Sequence, residues 1–388
     1  MALTGLVLVG AAALLARGGE EGGGGGAAAA APPAPELAPC RALGGEAMRD
    51  CYAEAFAAVV RLQEDPRPAV QAIADAAWKE GPTLVANCHG IMHTVGREYA
   101  TAAGLTVGTL MRHLPQANDP GCTAGFAHGM VTAVAPDIDT DRPAEAARVC
   151  ADAGTRYQEY SCVHGFGHAF MRVYGDALDP ALELCRELGD GAAPDCAQGA
   201  YHDYWFAVIG ADGASLPGEP VRDPRALCGA APAAFVRPCW YRAWIENRPA
   251  AFDVATPADL DALCAELTGL QRSACIGAAA VIGPTDPADQ LALCARLGAD
   301  DAASCARGTK VQNLGDRPAT AFVRLTDRCG RFPAAARDAC FSWLGRVVSV
   351  LTDGAFADEG CPRLRSAAGR QACADGAARM DEALETFS

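Results

Sequence analysis

The segment CRELGDGAAPDC, residues 185–196, sets two cysteines eleven positions apart around a centre rich in Gly, Ala and Pro. Eleven residues of one α-helix would span roughly 16 Å at 1.5 Å per residue. A disulfide needs Cα atoms about 4.4–6.8 Å apart. A bond between Cys185 and Cys196 therefore requires the chain to reverse between them, as helix, tight connection and second helix with a staple across the bend. Leu184 and Leu188 have the spacing of an amphipathic helix in its last turns, and Gly189 stands where a C-cap favours glycine.

The same frame recurs along the chain. Of eighteen cysteines, sixteen form pairs eleven or twelve positions apart: Cys40–Cys51, Cys150–Cys162, Cys185–Cys196, Cys228–Cys239, Cys264–Cys275, Cys294–Cys305, Cys329–Cys340 and Cys361–Cys373. Cys88 and Cys122 remain and are paired by elimination. Each short staple contributes roughly 2–3 kcal/mol in the chain-entropy account. From Cys122 onward the second cysteines recur every thirty to forty-three residues, the size of one helical hairpin in a solenoid. Gly269 and Gly298 repeat the C-cap position of Gly189, and Asp50, Ser161, Asp195 and Ser304 precede second cysteines as expected N-caps of the second helices. The expectation is an all-α, right-handed, disulfide-stapled array of helical hairpins over residues 40–388, curved or closed into a toroid. In architecture such an array resembles Sel1-like and tetratricopeptide solenoids. The tetratricopeptide signature residues are absent, so the resemblance implies a shape and no activity.

Composition agrees with helices. Hydrophobic residues make up 51% of the 388 but aromatics only 6%, so Ala, Leu and Val must build a closely packed core. The formal net charge is −15 and lysine occurs only at Lys79 and Lys310, which leaves no basic stripe for a nucleic acid. No CxxC or CxxCH occurs, and the disulfide frame places the folded part in an oxidising, extracytoplasmic compartment, whether secreted, periplasmic or anchored facing outward. Residues 2–16 are an unbroken apolar run, so 1–17 reads as a signal peptide or an N-terminal membrane anchor, and 18–39 as a Gly/Ala/Pro-rich disordered linker.

All seven histidines lie before residue 203: His89, His93, His113, His128, His164, His168 and His202. The repeats over 206–388 keep the cysteine frame without any histidine, so the frame does not need them. Two motifs carry six of the seven, all within 88–205. H-G-x-x-H places His89 with His93 and His164 with His168; C-x-x-G-x-x-H runs from Cys122 to His128, from Cys162 to His168 and from Cys196 to His202. The first repeats after 75 residues and the second after 74, so 88–128 and 162–202 read as two copies of one unit with three histidines each. Histidines four apart share a helix face, and neutral imidazole ligates zinc, copper, nickel and iron.

The expected site is therefore a divalent-metal centre of His89, His93, His128, His164, His168 and His202, with zinc ahead of copper. His113, outside both motifs, reads as a core residue. Glu98, Asp119, Glu159 and Asp203 are the nearby carboxylates, with Asp203 turned about 100° from His202 on the same helix. Gly125, Gly165, Gly199, Gly308 and Gly376, three places after a cysteine, read as contact points for close helix approach, whereas Gly90 and Gly167 read as clearing space over the imidazoles.

Two other readings stand beside metal binding. One is a metal-dependent hydrolase or redox enzyme on the same cluster, with Glu98 or Glu159 as general base. The other is an interaction scaffold with a protein or glycan on its surface. A membrane tether through residues 2–16 fits any of the three.

Overall fold

The computed structural model describes residues 34–61, 63–116, 118–209, 224–246, 254–280, 284, 286–309 and 318–386. The apolar run and most of the Gly/Ala/Pro-rich segment lie outside them. Among the described residues there is no strand, and no helix is long and apolar enough to cross a membrane.

The first half carries α1 Gly45–Val60, α2 Arg67–Glu80, α3 Pro82–Ala102, α4 Cys122–Ala133, α5 Pro143–Arg148, α6 Arg156–Val173, α7 Leu178–Glu187 and α8 Ala193–Ile209. The second carries α9 Pro224–Gly229, α10 Val236–Glu246, α11 Pro257–Leu263, α12 Gly269–Ala279, α13 Pro287–Cys294, α14 Ala299–Arg307, α15 Pro318–Cys329, α16 Ala334–Leu351, α17 Ala355–Gly360 and α18 Ala367–Ala377. A final 3-10 segment is Met380–Thr386. Local chemistry starts several of these helices. Pro stands in the first turn of α2, α3, α11 and α13, and Thr256 and Asp259 close a capping box on α11. Thr155 caps α6 by accepting from the Gln158 amide.

All nine cysteine pairs are bonded, with Cα separations from 4.8 to 5.8 Å. The chain is the expected array of stapled helices, and three local expectations are corrected. In the eight short pairs the second helix begins three or six residues before its cysteine, so the polar residue ahead of it is inside the helix. Asp195 pairs with Arg156 across to α6 at 2.7 Å, Ser161 meets His128 at 3.1 Å, and Ser304 meets Ser273 at 2.9 Å while returning a bond to the Asp300 carbonyl. Partners on neighbouring helices take these side chains away from capping. Gly189 does follow a helix end with φ of +90°, but Gly269 opens α12 and Gly298 is the N-cap of α14. Packing also begins a little before Cys40: Leu37 is buried, and Ala38–Cys40 forms a 3-10 turn.

The glycines after the cysteines set the helix spacing. A Cβ on Gly125 would lie 2.1 Å from the His89 carbonyl oxygen, on Gly199 2.0 Å from that of His164, on Gly308 1.8 Å from that of Gly277, and on Gly376 1.9 Å from that of Ser342. Backbones of α3 and α4, α6 and α8, α12 and α14, and α16 and α18 thus touch directly, with no side chain between. Gly167 belongs to the same set, since its Cβ would lie 2.0 Å from the Cys196 carbonyl oxygen; it serves this contact and does not open space over a ring.

The array curls back on itself. Asn118 donates to the Leu351 carbonyl at 2.9 Å, Arg156 reaches Asp381 at 3.6 Å, and Tyr157 and Tyr160 of α6 join the core of Phe341, Trp343 and Leu344 from α16. The repeats without histidine thereby cover one side of the repeats that carry it.

Candidate metal centre

Four helices deliver the six imidazoles: α3 gives His89 and His93, α4 gives His128, α6 gives His164 and His168, and α8 gives His202. The direct backbone contacts of α3 with α4 and of α6 with α8 bring the rings to one height. His93, His128 and His168 form an inner triangle with centroids 5.3, 5.5 and 5.2 Å apart. Each remaining ring leans over one edge of it. His89 lies 4.9 and 5.1 Å from His93 and His128, His164 4.6 and 4.9 Å from His128 and His168, and His202 5.0 and 6.3 Å from His168 and His93. All six motif histidines converge.

His113 lies elsewhere, against the Tyr99 hydroxyl at 2.9 Å, with its ring pushed toward the neutral form first by burial.

Hydrogen bonds fix which nitrogen faces the cluster. His168 gives Nδ1 to the Asp203 carboxylate at 2.8 Å, which leaves a lone pair on Nε2. The Tyr160 hydroxyl donates to Gln198, so toward His164 Nδ1, 3.4 Å away, it can only accept, and the lone pair of that ring is again on Nε2. His128 meets Ser161 Oγ through Nε2 at 3.1 Å. The atoms left over, His128 Nδ1, His164 Nε2 and His168 Nε2, are buried and have no hydrogen-bond partner. Buried ring nitrogens without partners are costly in a folded protein. These three residues form one set whose ligand atoms lie within 4.8 Å of one another; His89, His93 and His128 form a second.

For four of the rings the surroundings favour the neutral form, the one that binds metal. Burial above all pushes His93, His128, His164 and His202 well below the ordinary imidazole value, and neighbouring rings and the guanidinium of Arg242 add to it. Arg242 is fully buried on α10.

Several carboxylates fall differently from expectation. Asp203 does serve the cluster, although it is turned from His202 on its own helix, because its partner His168 sits on the facing helix. Glu98 is bound to Arg61 at 2.6 Å and Glu159 approaches Arg156 at 3.7 Å; both side chains are more than two-fifths exposed and neither joins the histidines. Asp119 accepts from the amides of Gly121 and Thr123 at the start of α4. The two copies also fail to form separate triplets: His128 belongs to both ligand sets.

Tyr160, Ser161, Gln198 and Arg242 support the cluster and escaped the sequence reading. A signal existed for Arg242. It stands three places after Cys239, where five other repeats hold glycine.

Against family models, curated proteins and solved structures the chain finds no match. Its function therefore has to be read from the cluster itself.

Proposed function

We propose that the protein is an exported metal-binding protein whose six-imidazole centre holds a divalent first-row ion, with zinc ahead of copper. One observation carries this reading: three buried imidazoles, each with one ring nitrogen that lacks a hydrogen-bond partner, form a set whose ligand atoms lie within 4.8 Å of one another. An ion with bonds of about 2.0–2.1 Å satisfies all three after a modest inward movement. The Asp203–His168 pair is the carboxylate–histidine arrangement that fixes a ligand's tautomer and raises its basicity. Zinc has no geometric demand from its d-electrons, so it accepts donors whose angles are set by helix packing, whereas copper(II) prefers a tetragonal arrangement. Three nitrogens leave a fourth position open for water. Binding rather than catalysis is the better-supported activity, because Glu98 and Glu159 are engaged elsewhere. Nine disulfides support export to an oxidising compartment.

Metal analysis of the full chain purified without an affinity tag tests the reading. Near-stoichiometric zinc or copper is expected, and His168→Ala should lose it while far-UV circular dichroism stays unchanged. A protein that stays metal-free and cannot be loaded, or a His168→Ala variant with undiminished metal, would end the proposal.

A further inference from the structure

The ligand atoms gather into two sets rather than one, and only His128 is common to both. The two sets together hold five histidines, and a tetrahedral ion takes four ligands, so one such ion does not use both sets in full.

We propose that the centre holds two ions at once: an inner ion on His128, His164 and His168, and an outer ion on His89 and His93 beside the ring of His128. This rests on the reading of the cluster as a metal centre, and it adds a second site with a different character.

The outer site is oriented by a backbone carbonyl, and its two facing nitrogens hydrogen-bond to each other in the metal-free chain, so an ion there takes the place of the proton between them. The Pro120 carbonyl lies 2.9 Å from His89 Nδ1 and can only accept, so His89 carries its lone pair on Nε2. That atom stands 3.1 Å from His93 Nε2. Two nitrogens on one tetrahedral ion with bonds of about 2.05 Å stand about 3.3 Å apart. The pair is thus spaced almost as two ligands of one ion. His128 is common to both sets, with Nδ1 lacking a hydrogen-bond partner and Nε2 held by Ser161.

The two sites differ in access. The inner set is wholly buried, whereas His89 and His93 keep partial exposure. With two ring nitrogens and solvent nearby, the outer ion has open positions. Charge decides what fills them. Imidazole brings no charge when it ligates a metal, Asp203 is a carboxylate bonded to the cluster, and the guanidinium of Arg242 adds positive charge. Two dications in that setting call for an anion from solution, so the outer ion's ligand class is water ionised to hydroxide, or a small monoanion. Repulsion between the ions also makes the outer one bind second and leave first.

Cobalt(II) and azide are the probes. The metal-free full chain is titrated with cobalt(II), followed by its visible absorption, with metal counted after gel filtration. Two ions per chain are expected, taken up in two phases, with azide altering only the bands of the second phase. His89→Gln and His93→Gln should each fold, hold one ion and ignore azide. Saturation of the wild-type chain at one ion, or two ions retained in both variants, overturns the second site. A single ion lost in His168→Ala but kept in His93→Gln removes the outer site and leaves the metal-binding reading standing; no cobalt bound at all defeats both.

Discussion

Gly125→Ala tests whether the backbone contacts of the repeat frame position the metal ligands. The added methyl would meet the His89 carbonyl oxygen at 2.1 Å and the His89 Cα at 2.9 Å. Carbon–oxygen contacts between packed backbones run about 3.3–3.6 Å, so α3 and α4 must separate by about 1 Å. Overpacking of this kind costs about 1–3 kcal/mol, and alanine's better helix propensity offsets up to about 1 of that. A stability loss of about 1–2 kcal/mol follows. The effect on metal is larger, because α3 carries His89 and His93 and α4 carries His128, and ligand distances tolerate only about 0.2 Å. At least a tenfold loss in zinc affinity is expected.

Gly376→Ala is the matched control. Its methyl would meet the Ser342 carbonyl oxygen at 1.9 Å, at the same repeat position in a repeat that carries no histidine. Denaturant unfolding with the disulfides intact measures the stability of both variants, and competition against a chromophoric chelator measures zinc affinity. Similar destabilisation with affinity lost only in Gly125→Ala is the expected pattern. Equal affinities in two equally destabilised variants would refute the link between glycine contacts and ligand geometry.

Three further outcomes follow from the same structure. In metal-free protein, His93, His128, His164 and His202 stay neutral when folded and take up protons near 6.5 when unfolded, so stability should fall as pH drops below 6.5, by about 5 kcal/mol between pH 7.5 and 5.5 for four groups at about 1.4 kcal/mol per pH unit; a flat denaturation midpoint across that range would contradict their burial. Asp203→Asn should weaken zinc binding about 10–100-fold while Glu98→Gln and Glu159→Gln leave it unchanged, as chelator competition would reveal. Arg156→Met strips the partly buried Asp195, whose carboxyl burial already raises to about 6, of its cation and raises it further; because variant and wild type share the penalty below pH 6, the variant's deficit of about 1–3 kcal/mol at pH 8 should shrink as pH falls toward 6 and vanish below it, and a pH-independent deficit would show that Asp195 is not its source.

The bends were legible because they follow from two numbers, the length of eleven helical residues and the reach of a disulfide. The glycine contacts were legible because the same residue type returned three places after cysteines both with and without histidines nearby. What sequence concealed is what neighbouring helices decide. Ser161, Asp195 and Ser304 have the side chains of N-caps, yet each finds a partner across a helix interface, and that partner prevails. Asp203 lies far round the helix from His202, a correct angle that says nothing about His168 on the facing helix. The duplication left open whether the two three-histidine units share one site or form two; α4 packs between α3 and α6, so His128 has histidines on both sides and the units merge.

The position six residues after the second cysteine sharpens the case for function. In the first half it holds His128, His168 and His202, and near the other end of the array it holds Arg346. Arg346 is nearly as buried as those rings, and its terminal nitrogens are met by Glu382 at 3.0 Å and the Ala306 carbonyl at 3.3 Å. Its Nε has no partner, so the frame tolerates a polar group here without satisfying every nitrogen. At His128 and His168 the corresponding inward nitrogens are left without such partners. A buried nitrogen without a partner is therefore not confined to the histidine repeats; what sets His128, His164 and His168 apart is that their ligand atoms gather within 4.8 Å of one another, and it is that convergence which an ion from outside the chain would use.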